Sequence, residues 1–217
     1  MNSKLAVKTQ NDIKADVRAK IIALINQQLA DACDLSSQIK QAHWNVKGPS
    51  FIGLHLLFDE IYEKFEDLVD IMAERIPQLG GIVMGTVRVA ASKSRLTEYP
   101  LDIVSGVDHV KALSNALATF AQSTRQASED ADKLDDADTA DMFTQISRAI
   151  DTDLWKVEAH LQAKGNIPYG YVYILQPWLM NGGQDFIEKY DIGMLRVYLQ
   201  LVALTIIKGI AVPPRYL

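Results

Sequence analysis

From about Asp16 to Val46, apolar residues recur at the spacing of an α-helix: Val17, Ile21, Leu24, Ile25, Leu29, Cys33, Leu35 and Ile39. A helix of that length with one apolar face must bury the face against a partner. The rest of the chain supplies partners. Gly48-Pro49-Ser50 stops the first helix, and Ser50 suits the N-cap of a second that spans about 50–76 and ends at Pro77. Gly80-Gly81 and Gly85 mark a long connection to about Pro100. Tyr99-Pro100-Leu101-Asp102 leads into a third helix over about 102–128. A fourth is expected from about Thr139 to Lys164, with Met142, Ile146, Ile150, Leu154, Val157 and Leu161 as its apolar stripe. The pattern predicts an all-α chain, a bundle of four long helices with one long crossover between the second and third.

The flanks differ from this body. Residues 1–15 are polar and mildly basic, a flexible arm ahead of a bundle over 16–164. From Gly165 to Leu217 the chain carries Pro168, Pro177, Pro213, Pro214 and many aromatic and aliphatic residues, an apolar extension of 53 residues. A segment this apolar is not expected to stay in solvent; packing on the outside of an assembly, filling part of its interior, binding a partner and a disordered addition all stay open. The net charge of −5 argues against nucleic-acid binding by bulk charge. One cysteine, Cys33, rules out an internal disulfide and fits a reducing compartment, with Cys33 read as a small buried hydrophobe. The first residues show no secretory apolar core, and no segment has the length of a membrane span, so a cytoplasmic location is expected.

The chemistry concentrates in residues 41–76, which hold His43, His55, Asp59, Asp70 and Glu74. These imidazole and carboxylate donors suit iron. On the second helix, His55 and Asp59 are four residues apart and share a face, as do Asp70 and Glu74. From Asp59 to Asp70 the helix turns a net rotation of only about 20°, so both pairs lie on one side, but it rises about 16 Å. A metal–ligand bond is about 2 Å, so one straight helix cannot bring both pairs to one ion. Either the chain carries two separate half-sites, or a second copy runs antiparallel and brings its Asp70 and Glu74 to the first copy's His55 and Asp59 across a two-fold axis. His43, at the end of the preceding helix, can join from the side of His55. The bland alternatives are solvated acids and structural histidines. The Glu-x-x-His pair of metal sites buried inside one bundle is absent.

The run Gln41-Ala42-His43-Trp44-Asn45-Val46-Lys47-Gly48, then His55-x-x-x-Asp59, then Asp70-Ile71-Met72-Ala73-Glu74-Arg75, resembles the ferroxidase signature of the Dps family of miniferritins. Tyr99-Pro100-Leu101-Asp102, Asp138-Thr139-Ala140-Asp141 and Leu154-Trp155 are similar to that family too, and the likeness spans about residues 15–163. The resemblance implies an all-α, ferritin-like four-helix bundle with a short helix in the crossover, near residues 83–92. It implies two-fold dimers that assemble into a hollow shell of twelve subunits. In that picture His43, His55 and Asp59 come from one subunit and Asp70 and Glu74 from its partner. The site would oxidise Fe(II) with hydrogen peroxide, or more slowly with oxygen, and the Fe(III) would mineralise in the cavity. Trp44, beside His43, would serve either packing or as a radical sink.

Two further expectations follow from the resemblance. The acids Glu129, Asp130, Asp132, Asp135, Asp136, Asp138 and Asp141 would line pores that draw in Fe(II), or else form a solvated loop and helix start. Lys4, Lys8, Lys14, Arg18 and Lys20 would let the N-terminal arms bind DNA together through avidity and counterion release. The competing function is accordingly a DNA-compacting, nucleoid-associated protein. The extension over 165–217 departs from the family, whose members usually end soon after the fourth helix.

Overall fold

The computed structural model describes residues 5–162. Those residues form five helices in the order α1 (Ala15–Asn45), α2 (Phe51–Gln78), α3 (Val87–Lys93), α4 (Gly106–Asp132) and α5 (Ala137–Gln162). The apolar extension read from the sequence lies outside the described residues.

Helix α2 shows how the pattern becomes a core. Leu54, Phe58, Ile61, Phe65, Leu68, Met72 and Ile76 are buried, in steps of four and three. That spacing keeps them on one stripe. They meet Ile21, Ile25, Leu29, Leu35 and Ile39 of α1, Val110, Leu113, Leu117 and Phe120 of α4, and Phe143, Ile146, Ile150 and Val157 of α5. At the centre the Phe65 and Phe120 rings meet edge to face, with centroids 5.6 Å apart and planes at 72°. Full burial of each such side chain stabilises by about 1.5–3 kcal/mol. Helix α1 packs along α2 and α4 along α5; α1 also meets α4, and α2 meets α5.

The crossover from α2 to α4 is fastened to a polar row on α1. Asn26 donates to the Ile82 carbonyl and accepts from the Met84 N–H. Buried Asp31 accepts from the Arg95 N–H at 2.8 Å and from its guanidinium Nε at 2.9 Å. Asp34 accepts from Ser94 Oγ, and Gln38 donates to the Thr97 carbonyl. These bonds satisfy backbone that has no helix or sheet of its own.

Three boundaries and one cap depart from the sequence reading. Helix α2 runs through Pro77 to Gln78. A proline this close to a helix end removes a single ladder bond, and fully buried Ile76 and Leu79 on either side hold the turn in place. Helix α4 begins at Gly106 rather than near 102, because Ser105 is the cap and its Oγ accepts from the Asp108 N–H. Ser50, by contrast, sits at the N-cap position of α2 without a side-chain capping bond. The acidic stretch is mostly helix: α4 extends to Asp132 because Ala127 and Ala131 continue its buried stripe.

The N-terminal arm, expected to be free over 1–15, lies against the bundle from Leu5 onward. Ala6 and Val7 donate N–H bonds to the Gly80 carbonyl at 2.9 and 3.3 Å. Leu5 and Ile13 pack on the core. Gly80 has φ +83°, and a Cβ there would come within 2.8 Å of the Val7 carbonyl oxygen, so the docking needs glycine. Arg18, counted among the basic residues of the arm, is buried and donates to the Leu79 carbonyl.

Candidate metal centre

His43 lies on the last turn of α1 and His55 on the first turns of α2. The short connection through Gly48, with φ +107°, folds these two helix ends together. The rings stack with centroids 3.8 Å apart at 22°. Each ring bonds the other residue's backbone: His43 Nδ1 to the His55 carbonyl at 2.8 Å, and His55 Nδ1 to the His43 carbonyl at 2.9 Å. A carbonyl only accepts, so each Nδ1 carries a proton, and Nε2 is the nitrogen of each ring left to bind a metal. Imidazoles oriented in this way by backbone carbonyls suit metal ligation.

Asp59 is one turn further along α2. Its Oδ1 stands 3.7 Å from His43 Nδ1 and forms an ion pair with Lys40 of α1. The Lys40 hydrogen bond holds the Asp59 carboxyl below its ordinary value, against a small opposing effect of burial, and the two imidazoles act in the same direction as Lys40. Lys40 also lies over the Tyr62 ring, 4.3 Å from its centroid. The sequence reading missed this ammonium, although its position three residues before His43 places it on the same face of α1.

Asp70 and Glu74 are exposed near the far end of α2, away from the histidines. Among the described residues, no three His, Cys, Asp or Glu of one chain come together to hold a metal ion. Ile52, Leu56, Glu63, Asp67, Asp70 and Glu74 form an exposed row on α2, in steps of four, seven, four, three and four. The row is apolar at the histidine end and acidic at the other. Trp44 is 67% exposed in the single chain, so it packs against little of its own fold.

Arg75, next to Glu74, points the other way. Its Nη2 donates to buried Asp136 at 2.9 Å and its Nε to Thr139 at 3.0 Å. Asp136 also caps α5, accepting from the Thr139 N–H. One of the seven acids read as pore candidates is thereby committed to structure, while Asp132, Asp135, Asp138 and Asp141 remain exposed. Cys33 is half-buried, and burial, followed by the charge of Glu66, raises its thiol pKa, which suits a packing role. No helix among the described residues is long and apolar enough to cross a membrane.

The fold has counterparts among known proteins. The ferritin family model, described as a ferritin-like domain, matches residues 22–164. The chain is 41% identical over 157 residues to the DNA protection during starvation protein of Agrobacterium fabrum, covering 72% of this chain and 97% of that one. It is 29% identical to the protein of the same name from Brevibacillus brevis, over 69% of this chain and all of that one. Among solved structures, DpsA14 from Streptomyces coelicolor superposes with a TM-score of 0.70 at 29% identity, covering 76% of this chain and 98% of the other. A Dps protein from Bacillus brevis superposes with a TM-score of 0.65 at 29% identity, covering 69% and 99%. With its stacked histidine pair set on an all-α bundle of this topology, the chain belongs to the Dps family of ferritin-like miniferritins.

Proposed function

We propose that this protein is an iron-storing ferroxidase whose metal sites form between two copies of the chain. The observation that carries the reading is the reciprocal His43–His55 arrangement, in which each Nδ1 is held by the other residue's backbone carbonyl, with Asp59 Oδ1 3.7 Å from His43 Nδ1. Among the described residues of a single chain, no three such donors come together to hold an ion, so the reading needs a second chain. An antiparallel second copy of α2 sets its acidic half, with Asp70 and Glu74, against this histidine end. The exposed Ile52 and Leu56 give such a contact an apolar component.

In this reading Fe(II) is the substrate. The histidines and Asp59 of one chain and Asp70 and Glu74 of the partner bind it, and the hard carboxylate oxygens favour the Fe(III) product. Hydrogen peroxide, or oxygen more slowly, takes the electrons, and the Fe(III) is stored as mineral inside a closed shell, most simply of twelve subunits. The exposed acids at the α4–α5 turn, Asp132, Asp135, Asp138 and Asp141, would draw Fe(II) inward. Consumption of peroxide and Fe(II) in a reducing cytoplasm protects against oxidative damage. The test is anaerobic Fe(II) loading followed by peroxide, monitored by Fe(III) absorbance, on the wild type and on a His43→Ala, Asp70→Ala double variant. Fast oxidation that the variant loses supports the reading; equal slow oxidation in both overturns it.

The relatives' name, DNA protection during starvation, favours a second reading in which the protein also binds and compacts DNA. Lys8, Lys14 and Lys20 are exposed and available for this. Buried Arg18 is not, and the docking of residues 5–13 shortens any free arm. Binding through these lysines must weaken steeply with salt; DNA retention that ignores salt contradicts it.

A further inference from the structure

Away from the histidine pair, one buried polar contact has no part in the metal centre. Tyr99, in the crossover, places its Oη 2.7 Å from His109 Nδ1 on α4. Tyr99 is 7% exposed and His109 1%. His109 Nε2 is fully buried without a hydrogen-bond partner. That fixes the direction of the bond. If Nδ1 carried the proton, both the phenol O–H and the Nε2 lone pair would be left unsatisfied; with the phenol donating, only the Nε2–H is. Burial supports the same assignment. It raises the Tyr99 phenol well above its ordinary pKa, and it lowers that of His109, against smaller opposing effects from the Asn45 backbone and the charge of Asp108. The pair is therefore a neutral phenol aimed at a neutral imidazole, shielded from water.

We infer that Tyr99 and His109 form a redox-active pair, in which Tyr99 gives up one electron to a strong oxidant while its phenolic proton moves to His109 Nδ1. The products are a neutral phenoxyl radical and an imidazolium. Loss of an electron turns the phenol O–H into a very strong acid, so an imidazole 2.7 Å away that takes the proton lets the electron leave more easily, and the positive charge then rests on His109 and not on the ring. The pair lies against the end of α1, where Asn45 follows His43 by two residues.

The need for such a donor rests on the ferroxidase reading. Hydrogen peroxide requires two electrons and two protons to become two waters. A site holding one Fe(II) supplies one electron. Tyr99 supplies the other, its proton stays on His109, and solvent provides the two protons taken up by peroxide. A later Fe(II) returns the electron and His109 the proton, which restores the phenol. Peroxide is then reduced without release of hydroxyl radical even when the site is half-loaded.

The test begins without iron. Metal-free full-length protein is oxidised by a flash-quenched ruthenium polypyridyl, and the phenoxyl radical is followed by absorption and by EPR with deuterated tyrosine. The expected result is a phenoxyl component that Tyr99→Phe removes and Tyr62→Phe keeps. His109→Gln, which leaves the phenol in place, should slow its formation about a hundredfold, the low end of what a positioned proton acceptor contributes, and abolish its solvent isotope effect. An unchanged signal in Tyr99→Phe, or an unchanged rate and isotope effect in His109→Gln, overturns the pair. A second arm loads one Fe(II) per site, adds peroxide and freeze-quenches. The Tyr99 radical is expected there; normal Fe(III) formation without it overturns the assigned role. Absence of Fe(III) itself contradicts the ferroxidase reading, and the flash experiment still decides the pair.

Discussion

His43 and His55 orient each other: each ring bonds the other residue's backbone carbonyl, at 2.8 and 2.9 Å, and the rings stack. The end of α1 and the start of α2 are thereby joined by the same groups that the proposed metal site would use. Replacing His55 with alanine should remove a ligand and loosen the His43 end of α1 together. Partners that merely orient a ligating histidine are worth about 10–100-fold in affinity, so loss of the ligand should reach at least the upper end. Anaerobic calorimetry with Fe(II) measures this; an unchanged affinity contradicts the assignment.

Lys40 competes with any cation for Asp59. Lys40→Gln should let the Asp59 carboxyl rise toward its ordinary value, where it is still ionised at neutral pH, and should tighten Fe(II) binding. An ion pair this open to solvent is weak, so the gain in affinity should be at most about fivefold. Metal titration of the two proteins at equal ionic strength gives the comparison, and weaker binding by the variant contradicts it.

Arg75 and Asp136 tie the end of α2 to the start of α5. Asp136 is 2% exposed, so Arg75→Ala leaves a buried carboxylate with no cation. The expected cost is about 3 kcal/mol, a fall in Tm on the order of 10 °C for a chain of this size. Thermal unfolding checks it. Asp136→Asn in the Arg75→Ala background should recover part of the loss, because the unpaired charge is gone.

Two buried titratable groups give opposite pH slopes. His109 is held below its ordinary value, first by burial, so the unfolded state binds its proton more readily; stability is present above about pH 6.5 and falls as pH drops below it. Asp153, 4% exposed, is raised, first by burial, so the folded state binds its proton more readily; stability grows as pH falls toward about 4. His109→Gln should therefore flatten the loss below neutrality. Asp153→Asn should raise Tm at pH 7, with the gain fading in acid. Melting curves at stepped pH separate the two.

The stripes of α1, α2 and α5 were legible in the sequence because their apolar spacing is regular and their ends carry ordinary stop signals. The extent of α4 was hidden. Its acids read as a loop, while the small residues Ala127 and Ala131 carried the buried face. The start at Gly106 depended on Ser105 rather than on the more conspicuous Tyr99-Pro100. At the candidate metal centre, the adjacency of His55 and Asp59 on one face and the separation of the two halves of α2 followed from helix geometry. The mutual carbonyl bonds of the histidines did not, since they depend on how the turn at Gly48 brings two helix ends together. Arg18 looked like a solvated basic residue because nothing in its neighbours announces that the Leu79 carbonyl lies above it. His109 could have been found: it falls four residues before Leu113 and eight before Leu117 on the buried stripe of α4.

The central claim is that the oxidation site needs two chains. It is tested most directly by complementation. One variant carries His43→Ala and His55→Ala, the other Asp70→Ala and Glu74→Ala. Each alone should be inactive in peroxide-driven Fe(II) oxidation. After dissociation and reassembly of an equal mixture, half the two-fold dimers are mixed and each has one intact site, so activity should return to about a quarter of wild type. No recovery from a mixture shown to co-assemble, or full activity in either variant alone, would contradict the account.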